Sequence, residues 1–593
     1  MLMDLNVDSL KAFARKLDLS KTLTRKPELV AALDKELRVN LEGTVARLSK
    51  TERKALAQAV HNGGVVARES FKAMYGVEMP DLGPWTYHSR DASLLLMFGE
   101  CLAGRFALSE ALTEPLQRIL PEPARPAVSV VDAIPEIYQP EKTGWRAAAP
   151  RPVRVYESSE TAPLELRSVL QLVRSGKLSV TDKSLRPTEA GARLIAQCLV
   201  APDFDGEDPR AASGSSRVEA AGSFRAHAWG VLIQQCGWAR PRRGILALTE
   251  SGQRALQCWT PGILVEAIDS LRDDTRFDEF NRVNHIRGQS GRGKRYLTDP
   301  GERRSSILES VSQWPVGKWI EFDEAWRFLL ASGNNFLLTS EAVTLYFEEQ
   351  EYGHLGAAEG ILPRIYLRVF LMESLATLGI IDIAYCYPHG LWPELEDRWG
   401  TDEMDFCSRY DGLLYLRLNA LGAYCLNVTS MYEPASVRQA SPWEVLGNGE
   451  IIPPEDPSPS EAYLLDGWAI RDSQGAWWLD AGRVLDYLAS GGSIADLSRF
   501  LVEKSQNELP EALEGWLSGI AAKASAVKGI EQALLIEMCD EATAAAIAGH
   551  DAAGALVRHA GGKYLVVATK SLRAFRNSLK KLGYALPEKE LQA

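Results

Sequence analysis

AHAWGVLIQQCGWARPRRGILALTESGQRAL, residues 226–256, predicts a helix, a basic hairpin and a second helix in direct succession. Apolar residues recur at helical spacing up to Gly237, which can end the helix in the left-handed conformation. A basic turn over 238–244 then leads into a short strand at 245–248. Thr249 stands directly before the last helical segment, where its hydroxyl can cap the free backbone N–H groups.

The return from this hairpin carries a pattern that resembles winged-helix domains. Residues 246–256 read L-x-L-T-x-x-G-x-x-A-L, which is similar to the way many wings lead back into the following helix. The resemblance implies that 153–260 form one winged-helix unit, with Arg240, Arg242 and Arg243 at the tip of its wing. The alternative is an ordinary helix–hairpin–helix corner whose tip is solvated.

A second copy of the same layout lies further along the chain. L-G-I-I-D at 378–382 and L-R-L-N-A-L-G at 416–422 match C-G-W-A and L-A-L-T-E-S-G of the first copy. This predicts a second winged-helix unit over 305–430. The excursion between its two strands is acidic at 394–405, so we expect this wing to contact protein rather than phosphate.

The first 152 residues contain two further helical modules and a linker. The patterns L-K-x-F-A-R-K-L and K-x-E-L-V-x-x-L resemble the SAP-type helical hairpin, so 1–40 is predicted to be such a hairpin, or else a plain helical hairpin packed on its neighbour. A capping box at Ser49 and Glu52 begins a helix within 45–120, which resembles the first half of another winged helix. Seven prolines predict a linker over 121–152.

The C-terminal region resembles a domain known from helicases. It follows a Pro-rich hinge predicted at 431–480. It combines S-x-x-D-L-x-x-F-L with L-P-x-x-L-x-x-W-L and, further on, S-L-R-A-F-R-N-S-L-K-K-L-G-Y. These motifs are similar to the accessory domain beside the motor of XPB-type repair helicases, which also occurs in bacterial proteins without the motor. The resemblance implies that 481–593 form an α/β domain of that type.

Length and composition bound the architecture. A chain of 593 residues with 46% hydrophobic and 24% charged residues predicts several globular domains. No apolar run reaches the roughly 20 residues of a membrane span, and the N-terminus does not read as a signal peptide. The eight cysteines include no CxxC pair, which favours reduced thiols in the cytoplasm. The expected class is mainly α with small β wings (α+β), with tandem winged-helix units before the C-terminal domain.

No motif in the chain predicts catalysis. Residues 288–294 satisfy the phosphate-loop spacing G-x-x-x-x-G-K, but Arg295 stands where Ser or Thr would bind magnesium, and neither flank predicts the required strand and helix. Cys386 and His389 are the closest Cys/His pair, and they lack two further ligands for zinc. We therefore expect no catalytic residue, no metal and no cofactor, and we expect that the protein is not an enzyme.

Basic residues gather in three places, which are the candidate contacts to DNA phosphates. One is the wing tip, the second is the basic segment within 261–304, and the third is one face of a helix predicted over 570–582. The candidates are Arg240, Arg242, Arg243, Arg282, Arg287, Arg292, Lys294, Arg295, Arg303, Arg304, Lys570, Arg573, Arg576 and Lys580. Arginine binds phosphate bidentately and is suited to this contact. The alternative for each patch is a solvated charged surface.

Net charge limits how the protein could bind DNA. At −12 the surface as a whole repels nucleic acid, so any contact must come from local basic patches. Trp238 and Tyr296 lie among these patches and could stack on unpaired bases. For Trp238, burial beneath the wing is the expected alternative.

These resemblances imply a function for the whole chain. They indicate a non-enzymatic DNA-binding subunit that acts with a separate ATPase, helicase or nuclease, in bacterial anti-phage defence or DNA repair, and that has no membrane partner. The first alternative is a protein scaffold of a multi-subunit defence complex, without direct DNA contact. The second is a ligand-sensing transcription regulator, which predicts dimerisation and one palindromic site. DNA binding that weakens with salt would separate the leading hypothesis from the scaffold.

Overall fold

At the starts of two helices, the capping residues that the sequence predicts form the expected hydrogen bonds. The backbone N–H of Glu52 donates to Ser49 Oγ, and the N–H of Ser49 donates to Glu52, which confirms the predicted capping box. Thr249 Oγ1 accepts from the N–H of Gly252, so it caps the helix after the hairpin as predicted. The structure, a computed structural model, describes residues 2–19, 22–82, 93–102, 105–140, 150–204, 223–257, 259–283, 285–288, 296–341, 344–347, 360–388, 406–432, 442–455, 457–526 and 531–586.

Helices make up the larger part of the regular structure. The α-helices are α1 Val7–Lys16, α2 Lys26–Val39, α3 Leu41–Ala46, α4 Lys50–His61, α5 Arg68–Tyr75, α6 Glu110–Gln117, α7 Ser158–Arg174, α8 Glu189–Ala196, α9 Arg225–Gln235, α10 Glu250–Gln257, α11 Pro261–Asp273, α12 Pro300–Ser312, α13 Phe322–Ala331, α14 Ile361–Val369, α15 Ala420–Cys425, α16 Pro459–Asp466, α17 Ala481–Ala489, α18 Ile494–Ser505, α19 Glu511–Ala524, α20 Glu541–Ala548, α21 Asp551–Gly554 and α22 Leu572–Lys581. A π-helical turn, Phe370–Leu375, continues α14. Within the described ranges, no helix is long and apolar enough to cross a bilayer.

The strands are short, and their pairs in the described residues are antiparallel. They are β1 Val65–Ala67, β2 Gly99–Leu102, β3 Arg105–Leu108, β4 Ile137–Tyr138, β5 Arg151–Pro152, β6 Arg154–Tyr156, β7 Ala239–Arg242, β8 Ile245–Leu248, β9 Ile286–Gly288, β10 Trp319–Glu321, β11 Leu345–Phe347, β12 Ile381–Tyr385, β13 Leu413–Leu418, β14 Glu444–Val445, β15 Glu450–Ile452, β16 Ala469–Arg471, β17 Trp477–Leu479, β18 Ala533–Glu537, β19 Val557–Gly561 and β20 Tyr564–Ala568. Many helices with small antiparallel sheets make this an α+β protein, as the sequence predicts.

The chain folds into two units. The first contains residues 1–445, 450–480 and 495–508, and the second contains residues 446–449, 481–494 and 509–593. Residues 481–593, predicted as one domain, are divided between the two units because 495–508 belong to the first, and the second unit also contains the short segment 446–449.

One arrangement recurs in the first unit. In two sheets, a strand that follows a helix pairs with the later strand of an antiparallel pair. The sheet orders are β1-β3-β2 and β10-β13-β12-β6, where β6 adds a fourth strand beside β12. Between them in the chain, the segment 178–180 takes the place of the first strand, because Val180 N–H donates to Gly244 O and Leu246 N–H donates to Leu178 O beside the β7–β8 hairpin. Each pair leads directly into a helix, namely α6, α10 and α15.

One hydrophobic core joins the two predicted units of the central region. Its buried residues extend from Tyr156 to Cys425, so 153–260 and 305–430 pack together rather than forming separate cores. Helix α11 lies in the predicted basic segment and contributes its apolar face to the same core. Another core, which extends from Leu2 to Leu120, contains both helices of the predicted N-terminal hairpin.

Residues 431–480 carry regular structure where the sequence predicts a hinge. They contain α16 and the four-stranded sheet β14-β15-β17-β16. Pro459, one of the prolines that suggested a hinge, occupies the first turn of α16, where its missing N–H removes no helical hydrogen bond. Ser458 caps the same helix in a capping box with Glu461. The hinge prediction was wrong here because prolines at helix starts and in linkers look alike in sequence.

The second unit is built around the sheet β18-β20-β19. Helices α20, α21 and α22 cover one face, where Leu565, Val567 and Phe575 form the core. The strands predicted near 533 and 564 and the helix predicted over 570–582 are present. The first of these strands was expected to be buried, but it forms an edge of the sheet and leaves Leu535 64% exposed.

Candidate nucleic-acid interface

The β7–β8 hairpin ends in a tight two-residue turn. Arg242 pairs with Ile245, so only Arg243 and Gly244 lie between the strands. Both turn residues have positive φ, 53° and 77°, which is the type I′ geometry that suits the twist of a hairpin. Glycine adopts this conformation freely, whereas an arginine in it costs on the order of 1 kcal/mol.

Strand alternation presents the arginines of the hairpin to solvent. Leu246 on one face is buried in the core, while Arg240 and Arg242 point to the other side and are exposed, as is Arg243 in the turn. These three guanidinium groups, which we call the hairpin arginines, have no ion pair or hydrogen-bond partner in the part of the chain that the structure describes. The structure therefore brings together Arg240, Arg242 and Arg243 as the sequence predicted.

The turn next to the hairpin adds to this charge. Lys177 and Lys183 flank the segment that pairs with β8, and both are exposed. Asp182 is the acidic residue beside the tip, with Oδ1 3.6 Å from the position that a Cβ on Gly244 would occupy. With the hairpin arginines, the local balance is strongly positive on a chain whose net charge is −12. Sequence reasoning missed the two lysines, because they precede the hairpin by about sixty residues.

The helix before the hairpin lies inside the protein. All residues of α9 are buried except His227, which is partly buried. Trp229 is completely buried, and its Nε1–H donates to Glu165 over 2.9 Å. A helix with so little exposed surface cannot enter a DNA groove without a rearrangement of its surroundings. Trp238 is also buried, as expected, whereas Tyr296 is 49% exposed.

The predicted basic segment does not form one surface. Arg282 is largely buried and forms an ion pair with Glu373, with 3.1 Å between Nε and Oε2. Arg287 lies in β9, where it pairs through its backbone with Tyr346. The predicted contacts at Arg292, Lys294 and Arg295, the phosphate-loop spacing that contains them, and the side chain of Arg287 lie outside the described residues.

Arg303 and Arg304 are fully buried, so the expectation that they lie on a basic surface was wrong. Arg303 pairs with Asp278 over 2.6 Å and stacks on the ring of Tyr366. Arg304 pairs with Glu279 over 2.9 Å and also donates to backbone carbonyls of the 271–277 segment. Both guanidinium groups are thus neutralised inside the core and are excluded from phosphate contact.

The basic helix of the second unit is partly available. In α22, Phe575 and Leu579 face the core, which turns Arg573 and Lys580 toward solvent. Arg576 is partly buried at the edge of the apolar face and does not share that exposure. Lys570, just before the helix, forms an exposed ion pair with Glu531. The predicted basic face is therefore narrower than its spacing suggests.

The other chemical candidates give no site. Cys386 is buried, and its neighbour His389 and the acidic excursion at 394–405 lie outside the described residues. Among the residues that are described, no group of three or more His, Cys, Asp or Glu side chains could hold a metal ion.

A polar cleft in the first unit was not anticipated from the sequence. It lies along α9, and its cavity volume is about 20 Å³, which is room for little more than one water molecule. Its polar lining comes from four separate stretches of the chain: Arg186, His227 and Gln235, Asp278 to Arg282, and Glu373 with Ser374. Glu373 lies in the π-helical turn, a feature that often marks functional positions. No local spacing links these residues, so no sequence signal could have found them together.

Burial and nearby charges shift the pKa values of His227 and Glu373 in the cleft. Burial lowers the pKa of His227 to about 2, and the positive charges of Arg282, Arg186 and Arg409 add to this effect. Burial also raises the pKa of Glu373, against the opposing influence of Arg282. At neutral pH the imidazole of His227 is therefore uncharged.

The pKa of His227 predicts how acid changes stability. Below its ordinary pKa of 6.5, the unfolded chain takes up a proton at His227 that the folded protein cannot bind. The free energy of unfolding should therefore fall as pH decreases from about 6.5, by up to about 1.4 kcal/mol per pH unit from this residue. We expect His227→Gln to have a shallower dependence than the unmodified protein in urea unfolding between pH 7 and about 5. Equal slopes would contradict the buried, neutral imidazole.

No protein-family model and no curated protein matches this chain.

Proposed function

We propose that the protein is a non-enzymatic DNA-binding subunit whose main phosphate contact is the β7–β8 hairpin. The observation that carries this proposal is the set of hairpin arginines, three exposed guanidinium groups without partners among the described residues. Arg243 holds the left-handed turn position that Asn or Gly would fill with less strain. Strain kept at an exposed position is typical of a functional residue.

Because α9 is buried, we propose binding through the hairpin and not through this helix. Winged-helix proteins that read a sequence insert a helix into the major groove, and here the helix at that place in the chain is enclosed. The recurring helix, strand and hairpin order supports the winged-helix interpretation, with the wing rather than the helix as the contacting element. We therefore propose contacts to phosphates without base reading.

The resemblance of 481–593 to the accessory domain of XPB-type helicases suggests the setting of this activity. A chain with such a domain and no predicted motor would act with a separate ATPase, helicase or nuclease, and anti-phage defence or DNA repair in the cytoplasm would be its context. Arg573 and Lys580 of α22 would supply a further phosphate contact in this unit.

A protein scaffold is the second candidate, and two observations favour it. The net charge of −12 opposes DNA binding. In addition, the face of the β18-β20-β19 sheet opposite its helices exposes Leu535 and Tyr564, at 64% and 37%. A protein partner packed on this face would bury both side chains. A transcription regulator with one palindromic site is disfavoured by the enclosed α9 helix.

DNA binding by the full-length protein tests the first proposal. We expect fluorescence anisotropy with labelled double- and single-stranded DNA to show binding that weakens as NaCl rises from about 50 to 200 mM. The slope of log affinity against log salt is negative, because salt weakens binding. Changing Arg240, Arg242 and Arg243 to Ala should reduce the magnitude of this slope by up to about 2.7, since each phosphate contact contributes about 0.9.

A matched control separates local contacts from net charge. Arg38, Arg118 and Arg193 are exposed, and each forms an ion pair with the acidic residue four positions before it, so changing all three to Ala removes the same number of charges. This variant should keep the slope of the unmodified protein. Equal slopes for both triple variants would overturn the hairpin contact, and no binding at low salt would favour the scaffold.

A further inference from the structure

We propose that the open face of the β14-β15-β17-β16 sheet binds a polypeptide segment of a protein partner, in which arginine or lysine stands next to apolar side chains. The face consists of Ile452, Ile470 and Trp478, together with the acidic residues Glu444, Glu450 and Asp472. It shares no residue with the hairpin arginines, so the proposal does not depend on DNA binding by the hairpin.

The strand register places three large apolar side chains on one face of this sheet. Trp478 of β17 lies opposite Ile470 of β16 on one side and opposite Glu450 of β15 on the other. Ile452 comes two positions after Glu450 in the same strand and therefore points to the same face, where it pairs with Glu444 of β14. These side chains thus form one continuous surface across the four strands.

The two faces of the sheet differ in burial. On the opposite face, Ile451 and Trp477 are almost completely buried. On the open face, Ile452, Ile470 and Trp478 keep between 37% and 47% of their surface exposed. The sheet thus has its core on one side only, and a partner that covered the other side would remove neighbouring apolar groups from water, which is favourable.

Asp472 holds the Trp478 ring in position on this face. The indole Nε1–H of Trp478 donates to Asp472 Oδ2 over 3.1 Å. This hydrogen bond, together with others from backbone N–H groups of the same turn, lowers the pKa of Asp472, so its carboxylate is ionised at neutral pH. A tryptophan fixed in this way loses little side-chain freedom when a partner binds, and that reduces the cost of binding.

The charges of the face favour a basic partner. Acidic residues stand beside the apolar ones, and the described strands place no lysine or arginine in a ladder position on this face. Carboxylates attract arginine and lysine and repel phosphate, so the face suits a basic polypeptide better than a nucleic acid or an anionic lipid surface. An exposed tryptophan ring also binds cations, more strongly than other aromatic rings. A basic side chain over Trp478, with apolar neighbours on Ile452 and Ile470, would use both properties.

Fluorescence anisotropy of labelled peptides with the full-length protein tests the proposal. The probe is a peptide of about eight alternating arginine and valine residues, which is long enough to cross four strands. One comparison peptide has glutamate in place of arginine, and another has serine in place of valine. We expect saturable binding of the arginine–valine peptide at about 150 mM NaCl, weaker binding of the arginine–serine peptide and no binding of the glutamate–valine peptide. No binding of the arginine–valine peptide, or equal binding of all three, would overturn the proposal.

Two substitutions locate the binding surface. Trp478→Ala and Glu444→Lys should each weaken binding of the arginine–valine peptide by about 10-fold, while Trp478→Tyr, which keeps an aromatic ring, should retain most of it. The matched controls lie on α2: Val39→Ala shortens an apolar side chain that is 75% exposed, and Glu28→Lys reverses an exposed charge. If the two substitutions on the face had no more effect than these controls, the peptide would bind elsewhere and the proposal would be wrong.

Sedimentation velocity distinguishes a separate partner from a second copy of this chain. We expect Trp478→Ala and Glu444→Lys to sediment as the unmodified protein does. Dimers of the unmodified protein that both substitutions dissociate would assign the face to self-association and would overturn the proposal of a separate partner.

Discussion

Replacing Arg225 with Ala is expected to lower the free energy of unfolding by about 3–5 kcal/mol. Arg225 is almost completely buried, and it forms ion pairs with Glu165 over 2.6 Å and with Asp203 over 2.5 Å. Removing the guanidinium leaves two carboxylates in the core without a cation. Charges isolated in this way are among the few single changes that destabilise a protein so strongly.

The side chains around Arg225 hold its guanidinium and the carboxylate of Glu165 in place. Its guanidinium stacks on the ring of Tyr156, with 4.3 Å from Cζ to the ring centroid. Glu165 also accepts hydrogen bonds from Trp229 Nε1 and from the N–H of Val200, so the carboxylate is held in place. Burial already raises the pKa of Glu165 despite the opposing charge of Arg225. Without that charge, the carboxylate would be held even less favourably in its ionised form.

Urea unfolding at two pH values measures this effect. Because protonation neutralises a stranded carboxylate, the loss caused by Arg225→Ala should be smaller near pH 5 than at pH 7. Arg193→Ala is the control, since its ion pair with Glu189 is exposed and should contribute no more than about 1 kcal/mol. A loss no larger than that of the control would show that the buried network does not stabilise the fold.

The sequence predicts local elements well and buried charges badly. The helix, basic turn, strand and cap of 226–256 follow from neighbouring residues, and the structure contains each of them. Arg303 and Arg304 looked like part of a basic surface because the flanking residues are also basic. The carboxylates that neutralise them, Asp278 and Glu279, come 25 residues earlier in the chain. Only the packing of α12 against the 274–282 segment brings them together.

The hairpin arginines follow from a local sequence pattern, whereas the cleft along α9 follows only from the folded structure. The three hairpin arginines lie within four consecutive positions and could be found by reading the chain, because a hairpin exposes every second residue of its strand. The cleft collects Arg186, Gln235 and Glu373 from helices and turns that are distant in sequence. The Nε2 group of Gln235 has no hydrogen-bond partner among the described residues, which is a property of the folded protein.

A shared sequence pattern received its physical explanation from the structure. Thr249-x-x-Gly252 and Asn419-x-x-Gly422 follow the two strand pairs, and in each the first residue accepts a hydrogen bond from the glycine N–H. A Cβ on Gly252 would lie 1.9 Å from the carbonyl oxygen of Trp238. A Cβ on Gly422 would lie 1.9 Å from the carbonyl oxygen of Ile380. Glycine is therefore required because the helix passes directly over the backbone before the strand.

Gly252→Ala and Gly422→Ala are accordingly expected to destabilise the protein by about 3 kcal/mol each, at the upper end of the cost of overpacking. The obstacle in both cases is a backbone carbonyl, which cannot rotate away as a side chain could. That of Trp238 also accepts the N–H of Thr249 over 3.0 Å, so a shift would break this hydrogen bond. Urea unfolding of the full chain measures the loss.

Gly262→Ala provides the matched control for these two variants. Gly262 lies in the first turn of α11, and a Cβ there would meet only Thr260 Oγ1 at 3.8 Å, an ordinary contact. Since alanine favours a helix over glycine by up to about 1 kcal/mol, this variant should be as stable as the unmodified protein or slightly more stable. If all three alanine variants unfolded alike, close backbone approach could not explain the repeated pattern, and the glycines would reflect helix capping alone.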